Sequence, residues 1–242
     1  MKAIKTTHAV LREVRKQGFS ELHACDLHFS KDLNSSISEF VTAWENLVID
    51  KYMEDGGKYR LRRYGRFIFN SRINSLSFQG KVQYFQSEEL NPVNGGRNRQ
   101  FAPLLDHSVT NEFLHELIKF DFSQLPANER RNDGLWTVGV HQIRILAEPR
   151  QHGLPAPEGI HKDGEMFTVQ HLIRRQNITG GVNSIYDNDQ KLIYEWTQQS
   201  NFDSYYFEDE AVWHSVSEIS SKDQKNRGIR DILLIDFDPV TN

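Results

Sequence analysis

The chain has little of what several classes of protein require. Cys25 is the only cysteine among 242 residues, which excludes an intrachain disulfide and a zinc cluster built on cysteines. The net charge of −4 is opposite in sign to that of a typical nucleic-acid-binding protein. No apolar stretch approaches the roughly 18 residues that cross a bilayer, and the first residues lack an apolar signal core. These absences predict a cytoplasmic protein without a nucleic-acid or membrane partner.

Enough apolar and aromatic side chains are present to build a sizeable core. Hydrophobic residues make up 38% of the chain, with 15 Phe, 8 Tyr and 4 Trp, which excludes a disordered tail. We find no internal repeat and no break in composition. The sequence therefore predicts a single domain over residues 1–242, with a helical N-terminal part (1–57) and a β core (58–242).

Helical patterns are concentrated in the N-terminal part. Residues 7–17 predict a short helix, and the capping-box pattern of Ser36 and Glu39 predicts a longer one that ends before Gly56. A further helix is predicted near residues 111–119, where apolar positions recur at helical spacing.

The rest of the chain has the character of β-structure. Short apolar segments alternate with turn residues at the spacing of a sandwich or barrel. A polar stretch (91–100) predicts a loop, and the proline-rich connection 148–158 is expected to lie over a site. The predicted strands are 59–69, 135–146, 160–161, 166–173, 182–186, 191–196, 204–207, 211–214 and 229–237. We expect a mainly β fold with N-terminal helices, namely a double-stranded β-helix (jelly roll, cupin-like).

The pair His161-x-Asp163 is the first sign of a functional site. Two residues separated by one point to the same side of an extended segment, so they can hold adjacent positions on one metal ion. His214 ends a later predicted strand, and two imidazoles with one carboxylate form the facial triad of non-haem Fe(II) proteins. The alternative is a surface turn and a packed histidine, because such pairs also arise by chance.

Arg230 is the second sign. On an alternating strand it shares a face with Ile232 and Leu234, and a guanidinium on an apolar face is costly unless it meets an anion. Its planar fork suits a carboxylate. The alternative is a structural ion pair with a nearby acid.

Together, His161-x-Asp163, His214 and Arg230 resemble the iron and co-substrate signature of the 2-oxoglutarate/Fe(II)-dependent dioxygenases. More narrowly, the chain is similar to the bacterial free amino-acid hydroxylases of the isoleucine 4-hydroxylase group. The group often has an acidic residue after the paired glycines, where this chain has Val182. The blocks that carry the narrower likeness are 63–67, 99–101, 139–144, 161–165, 180–183 and 230–234.

The resemblance implies a reaction and a set of roles. His161, Asp163 and His214 would bind Fe(II), and Arg230 would hold 2-oxoglutarate. With O2, the enzyme would hydroxylate a free, aliphatic L-amino acid and release succinate and CO2. Glu165 is the candidate for the ammonium group of the substrate. The candidates for its carboxylate and for the pocket wall are Gln142, Arg144, Tyr64, Arg66 and Arg99.

Two rival functions stay open. One is a 2-oxoglutarate-dependent hydroxylase that acts on a protein or nucleic-acid group. The other is a non-enzymatic cupin that binds a metal, for which Arg230 would have no special duty.

Overall fold

The structure is a computed structural model that describes residues 3–88, 95–127 and 134–240; positions 91–94 of the predicted polar loop lie outside these ranges. The described residues form four α-helices: α1 (Val10–Gln17), α2 (Asn34–Thr42), α3 (Asp106–Val109) and α4 (Glu112–Ser123). The strands in the same ranges are β1 (Ile4–Thr6), β2 (Phe19–Leu22), β3 (Leu27–Phe29), β4 (Val48–Ile49), β5 (Arg60–Asn70), β6 (Ser75–Phe78), β7 (Leu135–Ala147), β8 (Phe167–Gln176), β9 (Ile178–Gly180), β10 (Asn183–Tyr186), β11 (Leu192–Trp196), β12 (Ser204–Glu208), β13 (Trp213–Val216), β14 (Ile219–Ser221) and β15 (Gly228–Pro239).

A large antiparallel sheet is the main layer of the fold. Its strands follow the order β2-β12-β8-β15-β7-β5-β4, and β6 pairs with β5. The long strand β15 lies between β7 and β8, with Ile232 opposite Ile143 on one side and Leu172 on the other. A smaller sheet has the order β11-β10-β13. This arrangement confirms the predicted mainly β fold with N-terminal helices.

The two faces of the large sheet have different partners. Along β15, Leu233, Ile235 and Phe237 are buried in the main hydrophobic core, which also contains the apolar residues of α2 and α4. The alternate residues Ile232 and Leu234 point to the opposite face, where the smaller sheet covers a cavity. One face therefore serves stability, and the other forms the wall of a site.

The helices depart from the predicted boundaries at their ends. α1 begins at Val10 and ends at Gln17, followed by Gly18, whose φ of 81° is the left-handed conformation that favours glycine. The capping-box prediction is wrong, because Ser36 lies inside α2. The capping side chain is Ser30, whose Oγ accepts from the backbone N–H of Asp32 at the start of a 3-10 turn that continues into α2.

The second predicted helix is also shorter than expected. A 3-10 turn over Ala43–Asn46 ends it, and the next residues form strand β4 at the edge of the large sheet. The apolar pattern of this segment continues through Val48 and Ile49, but both are exposed on that edge. An edge strand and a helical turn give the same short apolar signal, so periodicity could not separate them.

The predicted strands of the β core are confirmed within a few residues, with one exception. Residues 160–161 form no regular strand, and His161 makes a single isolated bridge to His214. No helix among the described residues is long and apolar enough to cross a membrane.

One buried polar cluster ties helix α4 to the sheet. Asp121 is fully buried and receives the hydroxyl of Tyr206 at 2.7 Å, and its second oxygen lies 2.9 Å from Nε2 of His171. Removing the carboxylate would leave two buried polar groups without a partner.

We predict that Asp121→Ala lowers the free energy of unfolding by about 1–3 kcal/mol for each unsatisfied group. Urea denaturation checks this. The control is Glu116→Ala on the same helix. Glu116 forms a partly exposed ion pair with Lys119, and its loss should lower the free energy of unfolding by less than about 1 kcal/mol. Equal stability of the two variants would contradict the role assigned to Asp121.

Candidate metal centre

Three side chains with metal-ligating atoms meet beside the smaller sheet. His161, Asp163 and His214 each offer one ligand atom, and these atoms all lie within 4.8 Å of one another. Nε2 of His161 lies 3.5 Å from Oδ1 of Asp163, and Nε2 of His214 lies 3.6 Å from Oδ2 of the same carboxylate. The residues of the predicted triad are therefore brought together, with both imidazoles buried.

Backbone pairing places the two imidazoles side by side. The N–H of His161 donates to the carbonyl of His214 at 2.9 Å, and the N–H of His214 donates back at 3.1 Å. Nδ1 of His161 lies 2.9 Å from the carbonyl of Gly159. A ring N–H directed at that carbonyl leaves Nε2, the atom that faces Asp163, with a free lone pair.

The carboxylate of Asp209 holds the turn that carries Asp163. It accepts the backbone N–H groups of Asp163 and Gly164 at 2.8 and 2.9 Å. Lys162, between the two ligands of the turn, donates to the carbonyls of Asp209 and Glu210 and so points away from the site. The orientation of Asp163 is therefore fixed by the backbone of its own turn.

The chemistry of this donor set fits Fe(II). Burial, and then the neighbouring His161, lower the pKa of His214 to about 3, so its ring is neutral, as a metal ligand must be. Burial lowers the pKa of His161, but Asp163 and then Glu158 outweigh it and raise this pKa to about 9, so Fe(II) would take the place of a ring proton. Two imidazole nitrogens and one carboxylate on one side of an octahedral ion leave three positions for other ligands.

Arg230 lies in the same cavity as the triad. It is 1% exposed and donates from Nη2 to Asn183 (3.4 Å) and Gln198 (3.2 Å), whereas Nη1 has no hydrogen-bond partner among the described residues. Burial, and then Arg175, lower the pKa of Arg230 to about 9. A buried cation with an unused donor is an incomplete arrangement that an anion would complete.

The wall around the triad combines apolar and charged side chains. Ile143, Ile232 and Leu234 line it from the large sheet, and Val216 lines it from β13. Residues 155, 156 and 158 of the proline-rich connection also line the cavity, which confirms the expectation that this connection lies over a site.

Arg99 and Glu165 bring a guanidinium and a carboxyl group to this wall, and Tyr84 lies between them. Burial, and then the neighbouring Asp236, raise the pKa of Glu165 well above its ordinary value. The hydroxyl of Tyr84 donates to Oε1 of Glu165 at 2.8 Å, and the guanidinium of Arg99 lies 4.8 Å from the centre of the Tyr84 ring. Arg99 also donates to Gln86 at 2.5 Å, and Gln86 donates to the carbonyl of Asp163 at 2.6 Å. Nε of Arg99 and Oε2 of Glu165 have no partner among the described residues.

Two of the predicted substrate residues lie on the other face of the large sheet. Gln142 donates to Ser108, and Arg144 donates to Asp231 at 2.7 Å, so neither side chain lines the cavity. They do share a face with Val138 and Val140, as the sequence predicts, but that face packs against the helices.

Tyr64 and Arg66 lie on the cavity side of β5 without lining the cavity. The Tyr64 ring packs on His141 with centres 4.5 Å apart, and Nε of Arg66 donates to the Tyr64 hydroxyl at 3.2 Å. Of the predicted substrate residues, Arg99 and Glu165 therefore line the cavity, whereas Tyr64 and Arg66 lie behind its wall.

Sequence reasoning missed a buried polar chain behind the cavity. Arg62, which lines the cavity, donates from Nε to Nδ1 of His141 at 3.1 Å, and Nε2 of His141 lies 2.9 Å from Asp236. Burial, and then Arg62, hold the pKa of His141 well below its ordinary value, so the neutral ring accepts from Arg62 and donates to Asp236. The alternation of Arg60, Arg62 and Tyr64 along one strand is the sequence pattern that could have revealed this chain.

A jelly roll with two histidines, a carboxylate and a buried arginine in one cavity defines a class of iron-dependent oxygenases that use a 2-oxo acid. The model of the 2OG-Fe dioxygenase family matches residues 41–236 of this chain. The chain belongs to this family of enzymes, which use Fe(II), 2-oxoglutarate and O2.

Similar proteins extend over nearly the whole chain. An L-isoleucine-4-hydroxylase of Bacillus thuringiensis is 25% identical over 94% of this chain and 93% of its own. A 3(1)-hydroxy-L-isoleucine 4-dioxygenase of Pantoea ananatis is 27% identical over 86% of this chain and 83% of its own. The crystal structure of a bsmA homologue from Methylobium petroleophilum covers 95% of this chain and 92% of its own, with a TM-score of 0.83 and 24% identity, and supports the fold.

We predict that replacing His161, Asp163 or His214 with Ala weakens Fe(II) binding by 100-fold or more, since even residues that only support a metal ligand are worth about 10–100-fold. Anaerobic calorimetry measures the affinity, and circular dichroism checks that the fold survives. The control is His152→Ala, whose half-exposed ring bonds Ser220. An unchanged affinity for Fe(II) in His214→Ala would show that His214 is not a metal ligand.

Proposed function

We propose that the enzyme hydroxylates a free, aliphatic L-amino acid. The observation that carries this proposal is the buried guanidinium of Arg99 and the buried carboxyl group of Glu165, which line the triad cavity and each keep one atom without a partner among the described residues. A free amino acid is a zwitterion, and its two charged groups would complete both side chains at once. The names of the two relatives describe action on isoleucine and on a hydroxyisoleucine, which supports the same substrate class.

In the proposed site, His161, Asp163 and His214 hold Fe(II), and Arg230 holds the distal carboxylate of 2-oxoglutarate. Fe(II) and 2-oxoglutarate supply the activation of O2, which yields succinate, CO2 and the hydroxylated amino acid. The part played by the protein is positioning, since the C–H bond held nearest the metal is the one that is oxidised.

The residues proposed for the substrate are held firmly before it binds. Arg99 is 2% exposed and is oriented by Gln86, while Glu165 is oriented by Tyr84. Arg62 lines the same region and is a second cation for the α-carboxylate. Preorganised groups lose little entropy on binding, and their hydrogen bonds are strong in a dry cavity.

The apolar part of the wall supports an aliphatic side chain. Ile143, Phe207 and Val216 line the cavity and offer no polar side-chain atom. A charged substrate side chain placed against them would lose its hydration without gaining a partner, which costs several kcal/mol. Branched or straight side chains are therefore favoured over charged ones.

We predict that Arg230→Met weakens 2-oxoglutarate binding by about 2–5 kcal/mol, because the distal carboxylate loses a desolvated partner. Arg230→Lys keeps the charge but loses the planar fork of the guanidinium. Its affinity for 2-oxoglutarate should therefore lie between those of Arg230→Met and the wild type. Anaerobic calorimetry on the Fe(II) protein measures the affinity. The control is Arg227→Met, which removes an exposed arginine near the start of β15. If both Arg230 variants bind as tightly as the control, another residue anchors the co-substrate.

The substrate proposal is tested by screening free amino acids for succinate release and for a mass gain of one oxygen. We predict that turnover is lost when the α-carboxylate of the preferred substrate is amidated. Arg99→Met should raise the KM for the amino acid at least tenfold, with little change in the 2-oxoglutarate requirement. The control is Arg97→Met, which removes a partly exposed arginine two residues away.

A peptide-directed or nucleic-acid-directed hydroxylase would respond differently. Its target has no free α-carboxylate at the reacting unit, so amidation would leave its rate unchanged. Turnover of an internal peptide residue as fast as that of the free amino acid would contradict the proposal, even if the iron site is correct.

A further inference from the structure

A second arginine stands directly opposite Arg230. In the register of β15 and β8, Arg230 pairs with Arg175, while the neighbouring pair is Asp231 with Arg174. Arg174 contacts Asp231 at 3.3 Å and Glu45 at 2.6 Å, so its charge is matched on the helix side of the sheet. Arg175 alternates to the same side as Arg230.

Within residues 3–88, 95–127 and 134–240, neither Arg175 nor Arg230 has a carboxylate within ion-pair distance. Nη1 of each guanidinium is buried without a hydrogen-bond partner. Like charges directly opposite each other on a sheet are destabilising, and burial strengthens the repulsion. Burial lowers the pKa of both arginines, and Arg175 contributes to the shift of Arg230. An anion bound between the two guanidinium groups would relieve this repulsion.

The paired glycines hold Arg175 in this position. Nη2 of Arg175 donates to the carbonyl of Gly180 at 2.7 Å. A Cβ on Gly181 would lie 3.2 Å from Nη1 of Arg175 and 3.4 Å from Cδ of Arg230, so the absence of a side chain lets the two arginines approach the same point. Two residues further on, Asn183 accepts from Arg230. The segment Gly180–Asn183 thus orients both guanidinium groups.

We propose that Arg175 is a positioning residue for 2-oxoglutarate, a second positive charge that serves the distal carboxylate held by Arg230. This inference rests on the proposed role of Arg230. Arg230 lines the cavity and Arg175 does not, so Arg175 acts from behind through its charge and through the placement of Arg230. The distal carboxylate is the anion that relieves the repulsion between them.

The test compares two ligands that differ only at the far end. 2-Oxoglutarate carries the distal carboxylate, and 2-oxopentanoate has the same carbon chain without it. Binding of each to the Fe(II)-loaded protein is measured by calorimetry without O2, so that no turnover is needed. Arg175→Met should weaken 2-oxoglutarate about tenfold and leave 2-oxopentanoate unchanged, and Arg175→Lys should restore most of the loss.

The matched control is Arg174→Met, the adjacent arginine on the opposite face, which should change neither affinity. Equal weakening of both ligands by Arg175→Met would overturn the proposal and make Arg175 a structural residue. No change in 2-oxoglutarate affinity would overturn it as well. If Arg230→Met still weakens 2-oxoglutarate in that case, only this inference fails; if Arg230→Met is also silent, the assignment of the co-substrate site fails with it.

Discussion

The alternation of side chains along β15 is the constraint on which the rest of the structure depends. Leu233, Ile235 and Phe237 anchor the strand in the helix-covered core, and this fixes the register in which Arg230 enters the cavity. A shift of one residue would bury the apolar set in the site and direct Arg230 into the core. The pairing of β15 with both β7 and β8 excludes that shift. The same contacts that stabilise the sheet therefore also fix the position of Arg230.

Buried charged and polar groups are concentrated on the cavity side of the sheet, where their loss of hydration lowers the stability of the fold. Hydrophobic replacements of the Arg62, His141 and Asp236 chain would cost less desolvation. A polar chain that is satisfied behind the cavity does, however, keep Arg62 in one orientation at its wall. The stability lost to buried charge is offset by the other face, where Trp44, Phe113 and Trp136 are fully buried.

The sequence was sufficient for the fold class and for the residues that meet at the metal centre. His161, Asp163 and His214 belong to short segments whose residue types and order limit the possible chemistry. It was harder to predict which face of a strand points to the cavity. Both faces of β7 are buried, so the alternation of its residues does not indicate which face that is. Gln142 and Arg144 were assigned to the cavity for this reason, although the Ser108 and Asp231 contacts place them on the helix side. Tyr84 and Gln86 lie outside the named helices and strands, and only tertiary contacts reveal them.

The register of β8 and β15 also separates the two proposed binding regions. Arg175 pairs with Arg230 at one end of this ladder, and Phe167, two residues after Glu165, pairs with Phe237 at the other. Phe237 lies seven positions after Arg230 along β15, a distance of about 23 Å. In the proposed arrangement, a dianion would be attracted to Arg175 and Arg230, which have no carboxylate within ion-pair distance among the described residues, whereas an amino acid would be better matched where a carboxyl group and a cation lie together. Co-substrate and amino acid would then be sorted by charge before either reaches the metal, and Arg175 would strengthen that sorting from the co-substrate side.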